Sequence, residues 1–181
     1  MQAMVLAAGF GTRLRPYTEV LPKPLFPVCN VPLLNRILQQ VRGAGAERIV
    51  VNAHHLSACV EGCVGGLPGV VFQHEGSILG TGGGLGRARR HFDREPVLVC
   101  NGDIFHTIDC KKAVAVFHEL QPAALLVVHD YPRFNKVAVN SDGSITSFSG
   151  ACSSGERLLA FTGIHVVARR CLDLLPDNDF A

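Results

Sequence analysis

Short apolar runs alternate with amphipathic helical patterns along this sequence, and that alternation restricts its fold more than any other feature. The runs Gln2–Ala8, Arg48–Ala53 and Val70–His74 are apolar or β-branched and have the length of strands. A helical pattern begins at Pro32, keeps its apolar residues on one face and stops at Gly43. Because strands that alternate with helices pair in parallel, we predict an α/β fold with a mainly parallel sheet. Such sheets bind ligands beyond the carboxyl ends of their strands.

The later part of the chain continues with strands and helices. Pro96–Cys100 is a further apolar run, and it leads into the turn Asn101-Gly102-Asp103. Asp109 has the chemistry of a helix N-cap, and Asp142-Gly143 between two short β-branched runs predicts a hairpin. Phe161–Ala168 predicts a last strand. The Asn101-Gly102-Asp103 turn and the loop after the first strand should therefore share one edge of the sheet.

Composition narrows the class of protein. Of the 181 residues 48% are hydrophobic, as in globular proteins, and a net charge of +2 gives no strong field for nucleic acid or membrane. No apolar run reaches the ~18 residues of a membrane span, and the N-terminus does not resemble a signal peptide, so we expect a cytoplasmic protein. The seven cysteines are odd in number and irregularly spaced, so we expect reduced, buried thiols.

A long connection, Gly9–Pro27, follows the first strand and contains four prolines. Loops of this length are usually functional. It opens with Gly9-Phe10-Gly11-Thr12-Arg13, in which the glycines let backbone N–H groups approach an anion and the threonine adds a hydroxyl donor. Arg13 offers a planar fork that matches phosphate oxygens, and Lys23, held between two prolines, suits a point contact to a phosphate.

Two common phosphate-binding motifs are excluded. The sequence has no Gly-x-x-x-x-Gly-Lys-Ser/Thr, so it is not a P-loop protein. The dinucleotide fingerprint fails because Leu14 stands where its third glycine belongs.

Two segments closely resemble the signature of the sugar-1-phosphate nucleotidyltransferases: LAAGFGTRLRPYT at 6–18 and LPKPLFPV at 21–28. Three more resemble the family's second nucleotide segment, its metal-binding turn and its sugar-side strand: LGTGGGL at 79–85, VCNGD at 99–103 and FTGIHV at 161–166. The pattern is similar to the small members that uridylylate N-acetylmuramate 1-phosphate and to mannose-1-phosphate guanylyltransferases. The resemblance implies a Rossmann-like three-layer α/β sandwich, formed as a single domain over residues 1–181. It also implies transfer of a nucleoside monophosphate from a nucleoside triphosphate, UTP or GTP, to a sugar 1-phosphate, with release of pyrophosphate.

The resemblance also assigns roles to individual residues. Arg13 would neutralise the departing pyrophosphate, Lys23 would hold the α-phosphate or the attacking sugar phosphate, and Asp103 would bind Mg²⁺. The nucleotide would be bound by Leu6, Ala7, Gly9, Gly11, Thr12, Glu75, Gly80 and Thr81. Among these, Glu75 lies near the position of a base-edge contact in the family.

The sequence departs from the family on the sugar and metal sides. Sugar contacts would come from Asn135 and Gly163. Asn135 stands where the family often has glycine, but asparagine tolerates positive φ, so we expect the backbone conformation there to be the same. The family's second metal aspartate, in a C-terminal Asp-Val/Ile-Gly-Thr-like motif, is absent. We therefore expect a chain truncated at its C-terminus that binds nucleotide and turns it over weakly or not at all. The base, the sugar and the choice between monomer and homo-oligomer stay open.

Three other interpretations compete with this one. The same loop would serve cytidylyl transfer to a phosphorylated alcohol, or a non-catalytic nucleotide-binding module. His54, His55, Cys59 and Cys63 could be drawn as a zinc site. A core position is the better interpretation of the two cysteines, because they share the apolar face of a predicted helix.

Overall fold

The structure, a computed structural model, describes residues 1–176 and 178. The strands among these residues are β1 (Gln2–Leu6), β2 (Pro27–Val28), β3 (Val31–Pro32), β4 (Arg48–Ala53), β5 (Val70–His74), β6 (Val97–Asn101), β7 (Ala124–His129), β8 (Val137–Val139), β9 (Ile145–Ser147) and β10 (Arg157–Val167). The α-helices are α1 (Leu33–Gly43), α2 (Ser57–Val64), α3 (Gly80–Ala88) and α4 (Cys110–Leu120). Short 3₁₀ helices occupy Thr12–Leu14, Tyr17–Glu19, Lys23–Leu25, Arg89–His91, Pro132–Phe134 and Arg169–Leu174.

Four parallel strands form the centre of the first compact unit, which comprises residues 1–125 and the described residues from 165 onwards. Their order is β5-β4-β1-β6, with β10 next to β6. Strand β1 pairs in parallel with β4 and β6, so that Met4 lies level with Val50 and Val99. All three side chains are completely buried, as expected for parallel strands that are covered on both faces. The predicted mainly parallel sheet is confirmed.

The helices form where the pattern of apolar residues predicts them. Helix α1 follows Pro32 and buries Leu34, Ile37, Leu38 and Val41 on a single face. At α4 the predicted N-cap is confirmed, because the Asp109 carboxylate accepts a hydrogen bond from the backbone N–H of Lys112 at 3.1 Å. That bond satisfies one of the helix's otherwise unpaired N–H groups.

The second compact unit comprises residues 126–164. Within it β8 pairs antiparallel with the first part of β10, and β9 pairs antiparallel with β8. The predicted hairpin at Asp142-Gly143 is confirmed, with Gly143 at a φ of 91°. The single domain expected over residues 1–181 stays a prediction.

The cysteines are free thiols, but most of them are not buried. Cys100 and Cys110 lie in the core, whereas Cys59 is exposed, which corrects the expectation that it packs inward from its helix. Helix α2 is apolar on more than one face, so its pattern could not settle which face the sheet covers. A hydrogen bond with Cys110, together with burial, raises the pKa of Cys100 far above the ordinary thiol range.

Candidate active site

The carboxyl end of β1 opens into a cavity of about 220 Å³, called here the inner cavity. It is lined by Leu6, Ala7, Ala8, Gly9 and Gly11 after β1, by Lys23, Pro24, Asn52 and Asp103, and by Ile78, Gly80 and Thr81 around the start of α3. Six of the residues expected to bind the nucleotide thus meet in one place, together with the expected Lys23 and Asp103. The edge of the sheet is the one that the topology favours for ligands.

A second cavity of about 500 Å³, the outer cavity, adjoins the first and shares Gly9, Gly11, Lys23 and Asp103 with it. Its other lining residues are Thr12, Arg13 and Leu14. Two basic side chains and one carboxylate therefore border a space walled by glycine backbone, which suits a phosphate chain and a hard cation.

Lys23 and Asp103 form an ion pair at the junction of the two cavities. The Lys23 Nζ donates to Asp103 Oδ2 at 2.6 Å, and the two side chains are 28% and 35% exposed. Because both remain accessible to solvent, the pair contributes little to folding. A phosphate can compete for the lysine, and a cation can compete for the carboxylate.

The phosphate loop turns sharply at Gly11. The φ of Gly11 is 64°, and a Cβ atom there would lie 2.8 Å from Thr18 Cγ2. Thr18 is buried, and its hydroxyl donates to the carbonyl oxygen of Gly11 at 3.1 Å. Only glycine fits this position without strain, because the left-handed region disfavours a side chain and the space is already occupied.

The turn that contains Asp103 is hydrogen-bonded to the last residue of β1. The backbone N–H of Gly102 donates to the carbonyl oxygen of Leu6 at 2.7 Å. A Cβ atom at Gly102 would come within 2.9 Å of that oxygen. Because Gly102 has no side chain, the turn can approach β1 this closely, and the next residue, Asp103, then lines the cavity.

Helix α3 is also built around glycines. A Cβ atom at Gly84 would lie 3.0 Å from Asn52 Nδ2 and 3.1 Å from Glu75 Oε1. On Gly83 and Gly86, Cβ atoms would overlap the carbonyl groups of residues 178 and 176. The helix is thus in backbone contact with its neighbours, which fixes where Gly80 and Thr81 stand.

The role expected of Glu75 requires correction. Its side chain is completely buried and is not among the cavity-lining residues, so the carboxylate cannot reach the edge of a bound base. Its Oε1 accepts from Asn52 Nδ2 at 2.7 Å, and its Oε2 accepts from the Leu79 N–H at 3.2 Å. The amide oxygen of Asn52 in turn accepts from the Ala7 N–H at 2.9 Å. Asn52 is not apparent as a site residue from the motifs of the sequence. The signal that could have revealed it is a polar residue within the buried and otherwise apolar part of β4, 49–53.

The two expected sugar residues lie in the second compact unit. Asn135 has a φ of −66°, so the positive φ invoked for it is wrong. Its amide closes a local turn, accepting from the Tyr131 N–H at 2.9 Å and donating to Asp130 Oδ1 at 2.7 Å. Gly163 is buried and has a φ of 79°. Contact of either residue with a sugar stays a prediction.

Three residues of the zinc alternative, His54, His55 and Cys63, take part in separate side-chain hydrogen bonds. His54 Nδ1 lies 2.8 Å from the carbonyl oxygen of Glu75, and His55 Nε2 lies 2.6 Å from that of Thr18. The Cys63 thiol donates to Asn35 Oδ1. Within residues 1–176 and 178, no group of three or more His, Cys, Asp or Glu side chains is arranged to hold a metal ion.

Comparison with known proteins decides the family. A model of the nucleotidyl transferase family matches residues 2–150, which include the phosphate loop, the start of α3 and the Asp103 turn. The chain belongs to the nucleotidyl transferase family. The resemblance found in its sequence is thereby confirmed.

Individual relatives of the nucleotidyl transferase family cover most of the chain. It is 31% identical to UTP–glucose-1-phosphate uridylyltransferase of Synechocystis sp., over 98% of this chain and 52% of that protein. It is 28% identical to mannose-1-phosphate guanylyltransferase of Mycobacterium tuberculosis, again over 98% and 52%. To N-acetylmuramate alpha-1-phosphate uridylyltransferase of Neisseria meningitidis it is 37% identical, over 60% and 49%. The chain spans about half the length of these relatives.

Solved structures share the fold. HddC from Yersinia pseudotuberculosis superposes with a TM-score of 0.81 at 22% identity, over 99% of this chain and 82% of that one. A putative glucose-1-phosphate thymidylyltransferase from Bacillus anthracis gives 0.82 at 21%, over 100% and 79%. The expected Rossmann-like α/β fold is confirmed. None of the helices formed by residues 1–176 and 178 is both long enough and apolar enough to cross a membrane.

Proposed function

We propose that this chain transfers a nucleoside monophosphate from a nucleoside triphosphate to a sugar 1-phosphate and releases pyrophosphate. One arrangement carries the proposal: Arg13, Lys23 and Asp103 line the outer cavity, which shares Gly9 and Gly11 with the inner cavity. A nucleoside can lie among the backbone groups of the inner cavity while its phosphates extend between the charged side chains.

The acceptor supplies its own nucleophile. A phosphate monoester has a second pKa of about 6, so a sugar 1-phosphate is largely a dianion at pH 7. One of its oxygens attacks the α-phosphorus, and the bond from that phosphorus to the bridging oxygen breaks, so that pyrophosphate leaves with the electron pair. The protein needs no general base, and its task is to position the reactants and neutralise charge.

Lys23 and Arg13 are suited to different phosphates. Lys23 lies between the buried Pro22 and Pro24 and lines both cavities, which suits the α-phosphate or the attacking phosphate. Arg13 is exposed and lines the outer cavity, where its planar fork suits the departing pyrophosphate.

The donor set fits a magnesium ion held together with its substrate. Mg²⁺ is commonly bound by one or two carboxylates plus substrate phosphates and water, and Asp103 is a partly exposed carboxylate beside the space for those phosphates. When bound, the ion would neutralise charge on the phosphates. Lys23, released from Asp103, would then be free to contact a phosphate.

The substrates are proposed from the relatives. Those named above are uridylyl- and guanylyltransferases of sugar 1-phosphates, which supports UTP or GTP as the donor. We further propose that the protein acts in the cytoplasm, which its free thiols favour.

Pyrophosphate release tests the proposal. The chain is incubated with Mg²⁺, each common nucleoside triphosphate and the 1-phosphates of glucose, mannose and N-acetylmuramate. We expect release with UTP or GTP, lowered about 10²–10³-fold by Asp103→Asn or Lys23→Ala, because each removes a charge aimed at the reacting phosphates. Lys111→Ala, an exposed lysine on α4, is the matched control and should leave the rate unchanged.

Other outcomes separate the alternatives. Turnover with CTP and a phosphorylated alcohol would replace the proposal by cytidylyl transfer. Nucleotide binding without any pyrophosphate release would favour a non-catalytic module. The same assay tests the expectation of weak or no turnover, and robust release would show that expectation to be wrong.

A further inference from the structure

A chain of three buried hydrogen bonds, called here the relay, joins the two backbone walls of the inner cavity. One wall follows β1 and includes Ala7, and the other is the start of α3, just after Leu79. The Ala7 N–H donates to Asn52 Oδ1, Asn52 Nδ2 donates to Glu75 Oε1, and the Leu79 N–H donates to Glu75 Oε2. The walls are thus linked by two side chains, that of Asn52 in β4 and that of Glu75, which directly follows β5.

We infer that Asn52 and Glu75 are positioning residues that set the separation of these walls and thereby the affinity for the nucleotide. The inference rests on the proposed function, since it takes the inner cavity to be the nucleotide site. Glu75 is 0% exposed and acts only through Asn52 and Leu79. Asn52 is 1% exposed and is one of the residues that line the inner cavity.

The relay has a fixed direction. Both backbone N–H groups at its ends are donors, so Asn52 must present an oxygen to Ala7 and Glu75 must present an oxygen to Leu79. Between the two side chains there must be one donor and one acceptor, here the Asn52 amide and the Glu75 carboxylate. A carboxylate only accepts hydrogen bonds, whereas an amide both donates and accepts, so one residue of each kind satisfies every contact.

The packing of α3 leaves little room for another arrangement. A Cβ atom on Gly84 would already lie 3.0 Å from Asn52 Nδ2 and 3.1 Å from Glu75 Oε1. The N–H and the oxygen atoms of the relay are shielded from water, so a lost hydrogen bond is not replaced by solvent. The start of α3, with Gly80 and Thr81, should then move relative to the loop after β1.

Exchange of the two side chains provides the test. Glu75→Gln replaces one carboxylate oxygen by an NH₂ group. This donor must then face another donor, either Asn52 Nδ2 or the Leu79 N–H. Asn52→Asp sets two carboxylates against each other. The double variant N52D/E75Q restores all three hydrogen bonds with the central one reversed, and it keeps shape and net charge.

Binding of UTP and GTP with Mg²⁺ is measured by titration calorimetry on the wild type, both single variants and the exchange variant. We expect each single change to raise the Kd of the preferred nucleotide about 10-fold or more, since each leaves a buried polar group unpaired. The exchange variant should return to within about 3-fold of wild type. Urea unfolding of each variant fixes a temperature at which all are fully folded, so that Kd reports the site and not the folded fraction.

Each outcome decides the matter. If the wild type binds no nucleotide, the proposed function falls and takes the inference with it. If the wild type binds and Glu75→Gln binds equally well while being less stable, the relay serves folding alone and only the inference is overturned. Weak binding by the singles that the exchange does not rescue would refute the directional hydrogen-bond argument.

Discussion

Replacement of Gly11 by alanine should destabilise the protein far more than the same change at its neighbour Gly9. Alanine at a φ of 64° costs about 1–2 kcal/mol because Cβ approaches the backbone carbonyl. The contact of 2.8 Å with Thr18 Cγ2 adds an overpacking cost of about 1–3 kcal/mol. Gly11→Ala should therefore lower the free energy of unfolding by about 2–5 kcal/mol. At Gly9 a Cβ atom meets nothing within 4 Å, so Gly9→Ala should stay within about 0.5 kcal/mol.

The two costs at Gly11 can be separated. Thr18→Ser deletes Cγ2 and keeps the hydroxyl that donates to the Gly11 carbonyl. On its own it removes a buried methyl group and should cost about 1 kcal/mol. In the Gly11→Ala background it relieves the clash, so the double variant should be more stable than the sum of the single changes by at least about 1 kcal/mol.

Equilibrium unfolding in urea, with the slope checked for constancy, measures these free energies. Equal destabilisation by Gly9→Ala and Gly11→Ala would refute the account of the loop conformation. Strict additivity of Gly11→Ala and Thr18→Ser would leave the left-handed backbone as the whole cost and refute the steric part.

Three further predictions concern other parts of the first unit. Gly102→Ala should lower pyrophosphate release and Mg²⁺ affinity together, because its Cβ would push the Asp103 turn off the Leu6 carbonyl; a loss of stability alone would contradict this. Burial lowers the pKa of His165 to about 4. Between pH 6.5 and 4 this imidazole is therefore protonated in the unfolded chain but not in the folded chain. The free energy of unfolding should fall by about 2–3 kcal/mol as the pH falls through that window. His165→Gln should remove that part of the pH dependence in urea unfolding; an unchanged profile would contradict it. In native protein, iodoacetamide should label Cys59 and leave Cys100 unlabelled, as read by mass spectrometry of peptides; equal labelling would show that Cys100 is accessible.

The fold could be predicted where a single local pattern controlled it. Arg48–Ala53 and Val70–His74 are strands with the predicted ends, because short β-branched runs bounded by glycine or polar residues have few other uses. The cap at Asp109 and the hairpin at Asp142-Gly143 depend on local chemistry in the same way. Helix α2 was harder, since its cysteines are apolar enough for the core yet small enough to lie at the surface, and Cys59 is exposed.

The site was predictable only in part for a related reason. Glycines, Arg13 and Lys23 cluster in one loop, so their shared chemistry is visible along the sequence. The partnership of Asn52 with Glu75 joins the ends of two adjacent strands and becomes apparent only when those strands are paired. A glutamate in a glycine-rich stretch is typical of an exposed loop, and only the structure shows that Glu75 is buried and hydrogen-bonded to Asn52 and Leu79.

The glycines of α3 also bear on the order in which the protein assembles. Five of its nine residues are glycine, and each costs about 0.8–1 kcal/mol of helix stability relative to alanine. An isolated segment with this composition has almost no tendency to be helical, unlike α1, so α3 depends on what packs against it. Met4, Asn52 and Glu75 lie against Gly84, and residues 178 and 176 lie against Gly83 and Gly86. During synthesis residues 176 and 178 leave the ribosome long after Gly80 and Thr81. Helix α3, whose first residues Gly80 and Thr81 line the inner cavity, therefore gains part of its packing only late in synthesis.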